Sequence, residues 1–357
     1  MTTIRATKIN DLTAADWSAW DEIQTSTALY QSPYFRPEFV QAVAAVRDNV
    51  EVGVLREAGR AVGFFPFERV QNCVARPVGG KLSDYQGIIA APHSSWCIAD
   101  VLRGCRLRSW QFDHQLAAQE QFAPYFAKTA ESWCVDISPG YDDYIAGRKA
   151  AGAVGLSELL RKFRKLEREH QVRFEWHSGD EAVFDQLLKW KSEQYHRSML
   201  TDLFAYPWIT SLLKGIWRTQ TPKFAGVLSV MYIDDKVAAI HFGMQSGPLL
   251  HSWFPAYDVN LSKCSPGSVL LLFMLQCAAE HGVTCIELGK GEEPYKIMFA
   301  TGGVPLAEGA VDTRLVSAAM SRGIRQARDW VRQSPLREQA RVPIGWLKQM
   351  RDWIALR

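Results

Sequence analysis

The chain has 357 residues, 47% of them hydrophobic and 22% charged, with a formal net charge of +3. That length exceeds what one core usually fills, so two domains are expected. No uncharged apolar run reaches the ~20 residues of a membrane-spanning helix. Met1 to Asp16 lacks an apolar core and a cleavage pattern, so no secretory signal is expected and the protein is placed in the cytoplasm.

In chain order, Asp11 to Tyr30 has helical character, and a second helix is expected after a cap at Ser32, with Pro37 near its start. The period then changes to two. Val50 to Leu55 and Ala61 to Val70 flank a Glu57-Ala58-Gly59-Arg60 turn, a hairpin. A glycine-rich connection carries Asp84 and Tyr85, followed by a helix at Ser94 to Cys105 and a strand at Leu107 to Phe112. The Gly/Ala-rich stretch from Pro139 to Gly155 marks the expected domain boundary.

Beyond it, Ser157 is read as the cap of a helix over Glu158 to Glu169, with Arg161, Arg164 and Arg168 on one side and Leu160, Phe163 and Leu166 on another. A helix at Glu181 to His196 precedes three strands: Ala225 to Tyr232, Val237 to Gln245 and Leu249 to Tyr257. Ser265 to His281 is a helix so apolar from Val269 to Leu275 that it must be buried, and Gly282 stops it before a strand at Val283 to Leu288. The hairpin around Gly59 weakly echoes the one around Asp235. Duplication and a shared generic turn recipe both account for that echo.

From Val311 onward, ten Lys/Arg face four acids, a basic tail on a slightly acidic body. Trp346, Leu347, Met350, Trp353 and Ile354 form an amphipathic stripe that would dock on the body or lie on an anionic membrane surface. Arg325, Arg328 and Arg332 could instead hold a regulatory nucleotide. The seven cysteines are scattered without CxxC spacing, which argues against a disulfide frame or a zinc site and for reduced, mostly buried thiols. No metal site is expected.

Ser265-Pro266-Gly267-Ser268 offers chemistry. With Ser265 as cap and Pro266 first in the helix, the N–H groups of Gly267, Ser268 and Val269 would point outward, ready for a phosphate, or the stretch is simply a capped start. His241 lies mid-strand, where a base with an ordinary pKa near 6.5 or a structural histidine would both fit. Motifs for kinases, zinc proteases and serine hydrolases are missing.

The strand meander, the Pro-Gly helix start and the next strand resemble the GCN5-related acyltransferase (GNAT) fold. Three stretches are more specific: His251-Ser252-Trp253-Phe254-Pro255-Ala256-Tyr257-Asp258, Ser265-Pro266-Gly267, and Glu287-Leu288-Gly289-Lys290-Gly291 through Tyr295-Lys296. With Tyr30-Gln31-Ser32-Pro33, Gly63-Phe64-Phe65-Pro66-Phe67 and Ser83-Asp84-Tyr85, they resemble the CelD-like family, named from cellulose biosynthesis, over roughly residues 20 to 305. That family resembles the Fem-type peptidyl transferases.

The resemblance implies an α/β (α+β) fold of two GNAT-like domains in tandem, at 1–148 and 149–310, each a mixed, mainly antiparallel sheet flanked by helices, with a helical tail at 311–357. It implies acetyl-CoA or another acyl-CoA as co-substrate, its pyrophosphate on Ser265, Gly267, Ser268 and Val269. Lys296 would stabilise charge at the reacting carbonyl unless it pairs with Glu292 or Glu293. His241 or Asp84 would be the base, and Tyr295 would protonate the leaving sulfur. Tyr85, Tyr257, Arg161 and Arg164 would meet the acceptor, with a solvated face as the plainer reading of the arginines.

The acceptor would be a small-molecule or lipid-linked saccharide of envelope or exopolysaccharide synthesis, with the tail touching the inner membrane. DNA is not an expected partner. Aminoacyl transfer from charged tRNA and a non-catalytic membrane- or nucleotide-binding scaffold are the alternatives.

Overall fold

The structure is a computed structural model that describes residues 2–313. The tail, with its apolar stripe and Arg325, Arg328 and Arg332, lies outside the described residues.

Strand β1 (Thr3–Lys8) leads into helix α1 (Ala14–Ser26). A reciprocal cap starts that helix: the Asp16 N–H donates to Thr13 Oγ1 and the Thr13 N–H donates to Asp16. Ser32 does not cap a helix. It precedes a 3-10 turn at Pro33–Phe35, and α2 (Pro37–Ala44) begins on its own proline. The expected hairpin is β2 (Val50–Glu57) and β3 (Arg60–Gln71), turned by Ala58 (φ 47°) and Gly59 (φ 83°). Then come β4 (Val74–Arg76), β5 (Ile89–Ala90), α3 (Ile98–Gly104), β6 (Ser109–Leu116) and β7 (Phe126–Asp136).

The Gly/Ala-rich stretch carries a helix, α4 (Tyr141–Ala150). Helix α5 (Leu156–Glu169) starts one residue before the expected Ser157 cap, behind Gly155 in a left-handed conformation (φ 86°). Its apolar stripe is buried and Arg161, Arg164 and Arg168 are exposed. Next are β8 (Val172–Glu175), α6 (Glu181–Arg197), α7 (Pro207–Arg218), β9 (Ala225–Ile233), β10 (Lys236–Ser246), β11 (Leu249–Tyr257), α8 (Pro266–Cys277), β12 (Cys285–Lys290), α9 (Pro294–Phe299) and β13 (Gly302–Asp312).

The chain divides into two compact units at points other than 148/149. The first holds the chain up to Tyr30, Val43–Ala130 and 305–313; the second holds Gln31–Ala42 and Glu131–Val304. In the first, the strand order is β1-β2-β3-β4-β6-β13, with β5 on β3. Its core gathers Phe65, Phe67, Trp110, Phe112 and Phe122. In the second, the order is β7-β12-β11-β10-β9-β8. Its core is built on α8, whose residues from Val269 to Leu275, apart from half-buried Phe273, are buried against α5 and the strands.

Both units are thus α/β, with a mixed, mainly antiparallel sheet and flanking helices. Among the described residues, no helix is long and apolar enough to cross a membrane. All seven cysteines are free thiols, but only Cys105 is fully buried and Cys97 is exposed, so the expectation of mostly buried thiols fails.

Candidate active site

The site begins with the meander of the second unit. Its first turn places Asp234 (φ 49°) and Asp235 (φ 63°) in the left-handed region, which matches the twist of a tight hairpin. Strand β11 then pairs in parallel with β12 over only three positions: Leu249↔Cys285, Leu250↔Ile286 and His251↔Glu287. Both strands run on, β11 to Tyr257 and β12 to Lys290, but no longer pair with each other. The ladder therefore forks directly after His251 and Glu287.

The segment Gln31–Ala42 touches both strands at this fork. Ser32 Oγ donates to Glu287 Oε2 at 3.0 Å, and the Tyr34 ring stands edge-on to His251 at 4.9 Å and to Trp253 at 5.8 Å. The same Glu287 oxygen lies 3.1 Å from His251 Nδ1. Ser32, His251 and Glu287 are all buried. Three stretches far apart in sequence thus supply one residue each to a single hydrogen-bonded chain. None of the three was expected to carry chemistry, although each stands inside a motif that carried the resemblance.

His241, the expected base, lies on β10 beside this chain and is 2% exposed. Neither ring nitrogen has a hydrogen-bond partner among the described residues. Burial, and then the neighbouring His251, push its pKa down to about 3. The ring has room because position 243 is glycine: a Cβ there would strike the His251 carbonyl and lie 2.7 Å from His241 Cε1. An imidazole held neutral so firmly is a poor proton acceptor at neutral pH.

The expected phosphate-binding helix start exists, with a different geometry. Ser265 takes a left-handed conformation (φ 55°, ψ 50°) and its side chain caps nothing. Its carbonyl instead accepts from the N–H groups of Ser268 and Val269, both at 3.0 Å, so those two are not available to a ligand. The Gly267 N–H has no partner among the described residues. Lys162 of α5, which the sequence did not single out, donates to Ser265 Oγ at 3.2 Å and brings a positive charge to this helix end. A Cβ on Gly267 would touch the exposed Tyr257 ring at 3.4 Å, so glycine keeps the approach open.

At the end of β12, Lys296 is buried and committed: Nζ donates to the Lys290 carbonyl at 2.8 Å and pairs with Glu293 at 3.2 Å. Gly291 (φ 150°) permits this, because a Cβ there would strike Glu293 and lie 2.9 Å from Lys296 Nζ. Burial first, and Glu293 second, push the Tyr295 phenol upward, so it keeps its proton at neutral pH.

Asp84 and buried Tyr85 belong to the first unit, where Asp84 is 3.7 Å from His114 Nε2. Arg161 pairs with Glu158 on an exposed helix face, and Arg164 donates to the Leu160 carbonyl. Among the described residues, no group of acids, histidines and cysteines could hold a metal ion.

Residues 156–297 match the model of the acetyltransferase (GNAT) domain. No curated protein matches the chain. Among solved structures, FemX superposes with a TM-score of 0.58 at 8% identity, covering 89% of this chain and 99% of its own. The C-terminal DUF2156 domain of an Agrobacterium fabrum protein gives 0.51 at 13%, covering 86% and 94%. A tandem GNAT protein from the clavulanic acid biosynthesis pathway gives 0.50 at 10%, covering 88% and 99%. At such identities the likeness is one of fold. Residues 156–297 therefore hold a GNAT-type acetyltransferase domain, and the fold of the chain is like that of a tandem GNAT protein.

Proposed function

We propose that the protein moves an acyl group, acetyl foremost, from an acyl-CoA to the amine of an amino sugar or a related precursor of envelope or exopolysaccharide synthesis. One observation carries the reading: inside the matched GNAT domain, the β11–β12 ladder forks at His251 and Glu287, and Lys162 of α5 reaches the Ser265 hydroxyl at the Pro-Gly helix start. The fork admits the pantetheine arm. The Gly267 N–H, the helix dipole and Lys162 hold the pyrophosphate. Ser265, Ser268 and Val269 shape that helix end without donating to the phosphate.

Lys296, committed to the Lys290 carbonyl and Glu293, holds the end of β12 in place of the charge-stabilising role its motif implied, and Tyr295, protonated at neutral pH, returns a proton to the departing sulfur. Tyr257 and Trp253 shape the acceptor side. The saccharide acceptor follows from the resemblance of the His251–Asp258 and Glu287–Lys296 stretches to the CelD-like family.

Calorimetry with acetyl-CoA tests the donor. Binding is expected, and Gly267→Trp should weaken it at least about tenfold, or ~1.4 kcal/mol. Absence of binding to any acyl-CoA removes the reading. The fold likeness to FemX keeps aminoacyl transfer as the second reading. Transfer of labelled amino acid from charged tRNA, with acetyl-CoA inert, would put it first.

A further inference from the structure

We propose that Cys134 of β7 and Cys285 of β12 form a reversible oxidation site, a thiol pair that peroxide converts to a disulfide clasping the two strands beside the fork. The inference goes beyond the acyl-transfer reading and does not depend on it.

The register of the sheet brings the pair together. Strand β7 runs antiparallel to β12, with Cys134 opposite Glu287 and Asp136 opposite Cys285. Side chains alternate along a strand, so Cys134 and Cys285 stand diagonally on one face. Val135 and Ile286, which lie between them, point the other way into the core around α8. Strand twist leans one diagonal pair of side chains together, and here the Cys285 thiol donates a hydrogen bond to Cys134 Sγ. A register shift between Glu287 and Gly289 interrupts the ladder just beyond, which gives β12 local freedom as the sulfurs close to bonding distance.

Both thiols are half-buried. Cys134 is approached over glycine: a Cβ on exposed Gly302 would lie 3.9 Å from its Sγ, so the missing side chain leaves the sulfur uncovered. The hydrogen bond between the thiols lowers the pKa of Cys134 and raises that of Cys285. Burial and the carboxylates of Glu287 and Asp136, with Glu131 on the Cys134 side, act against a thiolate at either sulfur. Cys134 is therefore the thiol that reacts first and Cys285 the one that resolves. Cys97, the exposed cysteine, donates to Asp100 instead.

The Cys134 thiolate attacks one oxygen of hydrogen peroxide. An S–O bond forms, the O–O bond breaks, and hydroxide leaves and takes up the proton that Cys134 lost. The Cys285 sulfur then attacks the sulfenic sulfur of Cys134. The S–S bond forms, the S–O bond breaks, and the departing hydroxide takes the Cys285 proton to give a second water. Two thiols lose two electrons to one peroxide, and a dithiol reductant reverses the sequence. The bond fastens β12 beside Glu287, the residue at which its pairing with β11 ends, so the β12 arm of the fork is held to β7 in the oxidised protein.

The test treats the full chain with hydrogen peroxide, blocks the remaining thiols with iodoacetamide and maps the peptides by mass spectrometry. A cross-link joining Cys134 to Cys285 is expected in most molecules and should disappear with dithiothreitol. Cys134→Ser should abolish it and Cys97→Ser should leave it. In the oxidised protein, amide hydrogen exchange in β7 and β12 should slow at least about tenfold, and the melting temperature should rise by at least about 3 °C. The map of the wild type decides even where a variant fails to fold. Both thiols alkylated after peroxide, a link to another cysteine, or Cys134 carried to sulfinic acid with Cys285 left free overturns the pair. A cross-link that leaves exchange in both strands unchanged overturns the clasp.

Discussion

Burial decides what His241 can do. Its imidazole titrates near 6.5 in an unfolded chain and at about 3 in the folded one. Between those values the unfolded chain takes up a proton that the folded protein refuses. Stability is therefore complete above about 6.5 and drains as pH falls toward about 3. Urea unfolding at pH 7, 5 and 4 should show a steep loss in wild type and a shallower one in His241→Leu; equal slopes would refute the account. Lys191 is the basic counterpart. Burial beside Tyr195 and Phe254 pushes its ammonium down to about 8. From about 8 to 10.5 the unfolded chain holds more protons, so stability climbs with pH through that window. Lys191→Met should raise the melting temperature at pH 7 by about 3–8 °C, and an unchanged value would count against a strained lysine. The sequence drew attention to His241 because a histidine in a strand is conspicuous. It gave no such mark to His251, Glu287 or Ser32, because their meaning is a contact across separations of 36 and 255 residues.

Helix α8 was legible as an element, because Pro266 and Gly267 announce a start and seven nearly unbroken apolar residues announce a core. Its cap was not. A serine before a proline suggests a side-chain cap, yet the left-handed backbone of Ser265 turns its carbonyl onto Ser268 and Val269 and leaves the hydroxyl to Lys162. The same limit applies to α5, where Gly155 rather than Ser157 sets the start. Lys162 was hidden among the basic residues of α5, and only packing separates it from the exposed arginines around it. Lys162→Ala should weaken acetyl-CoA binding about fivefold to tenfold and flatten its dependence on salt. Arg161→Ala, which breaks only an exposed pair with Glu158, should leave binding within about twofold. Equal effects from the two would remove the distinction.

At the scale of the molecule, α/β content and two compact units were both within reach of the sequence, and the way the chain weaves between them was not. A short segment, Gln31–Ala42, belongs to the second unit while its neighbours on both sides belong to the first. Tyr34 and Phe39 from this segment pack on Trp253, with burial worth about 3–6 kcal/mol as an upper bound. That is a large share of a typical domain's net stability of about 5–15 kcal/mol. Residues 131–304 expressed alone should therefore aggregate, and joining 31–42 to them through a flexible linker should recover soluble protein. Soluble 131–304 that binds acetyl-CoA unaided would show the segment to be dispensable.

The contact between Ser32 and Glu287 also sets a timetable. Its partners lie 255 residues apart, so at ~5–20 residues per second the ribosome delivers the second roughly 13–50 s after the first. Through that interval the Tyr34–Phe39 strip has been made but Trp253 or Glu287 has not. The nascent chain carries an apolar strip with no resting place until nearly the whole protein has been synthesised, and the yield of active enzyme in a cell depends on how well chaperones shield that strip while the ribosome finishes.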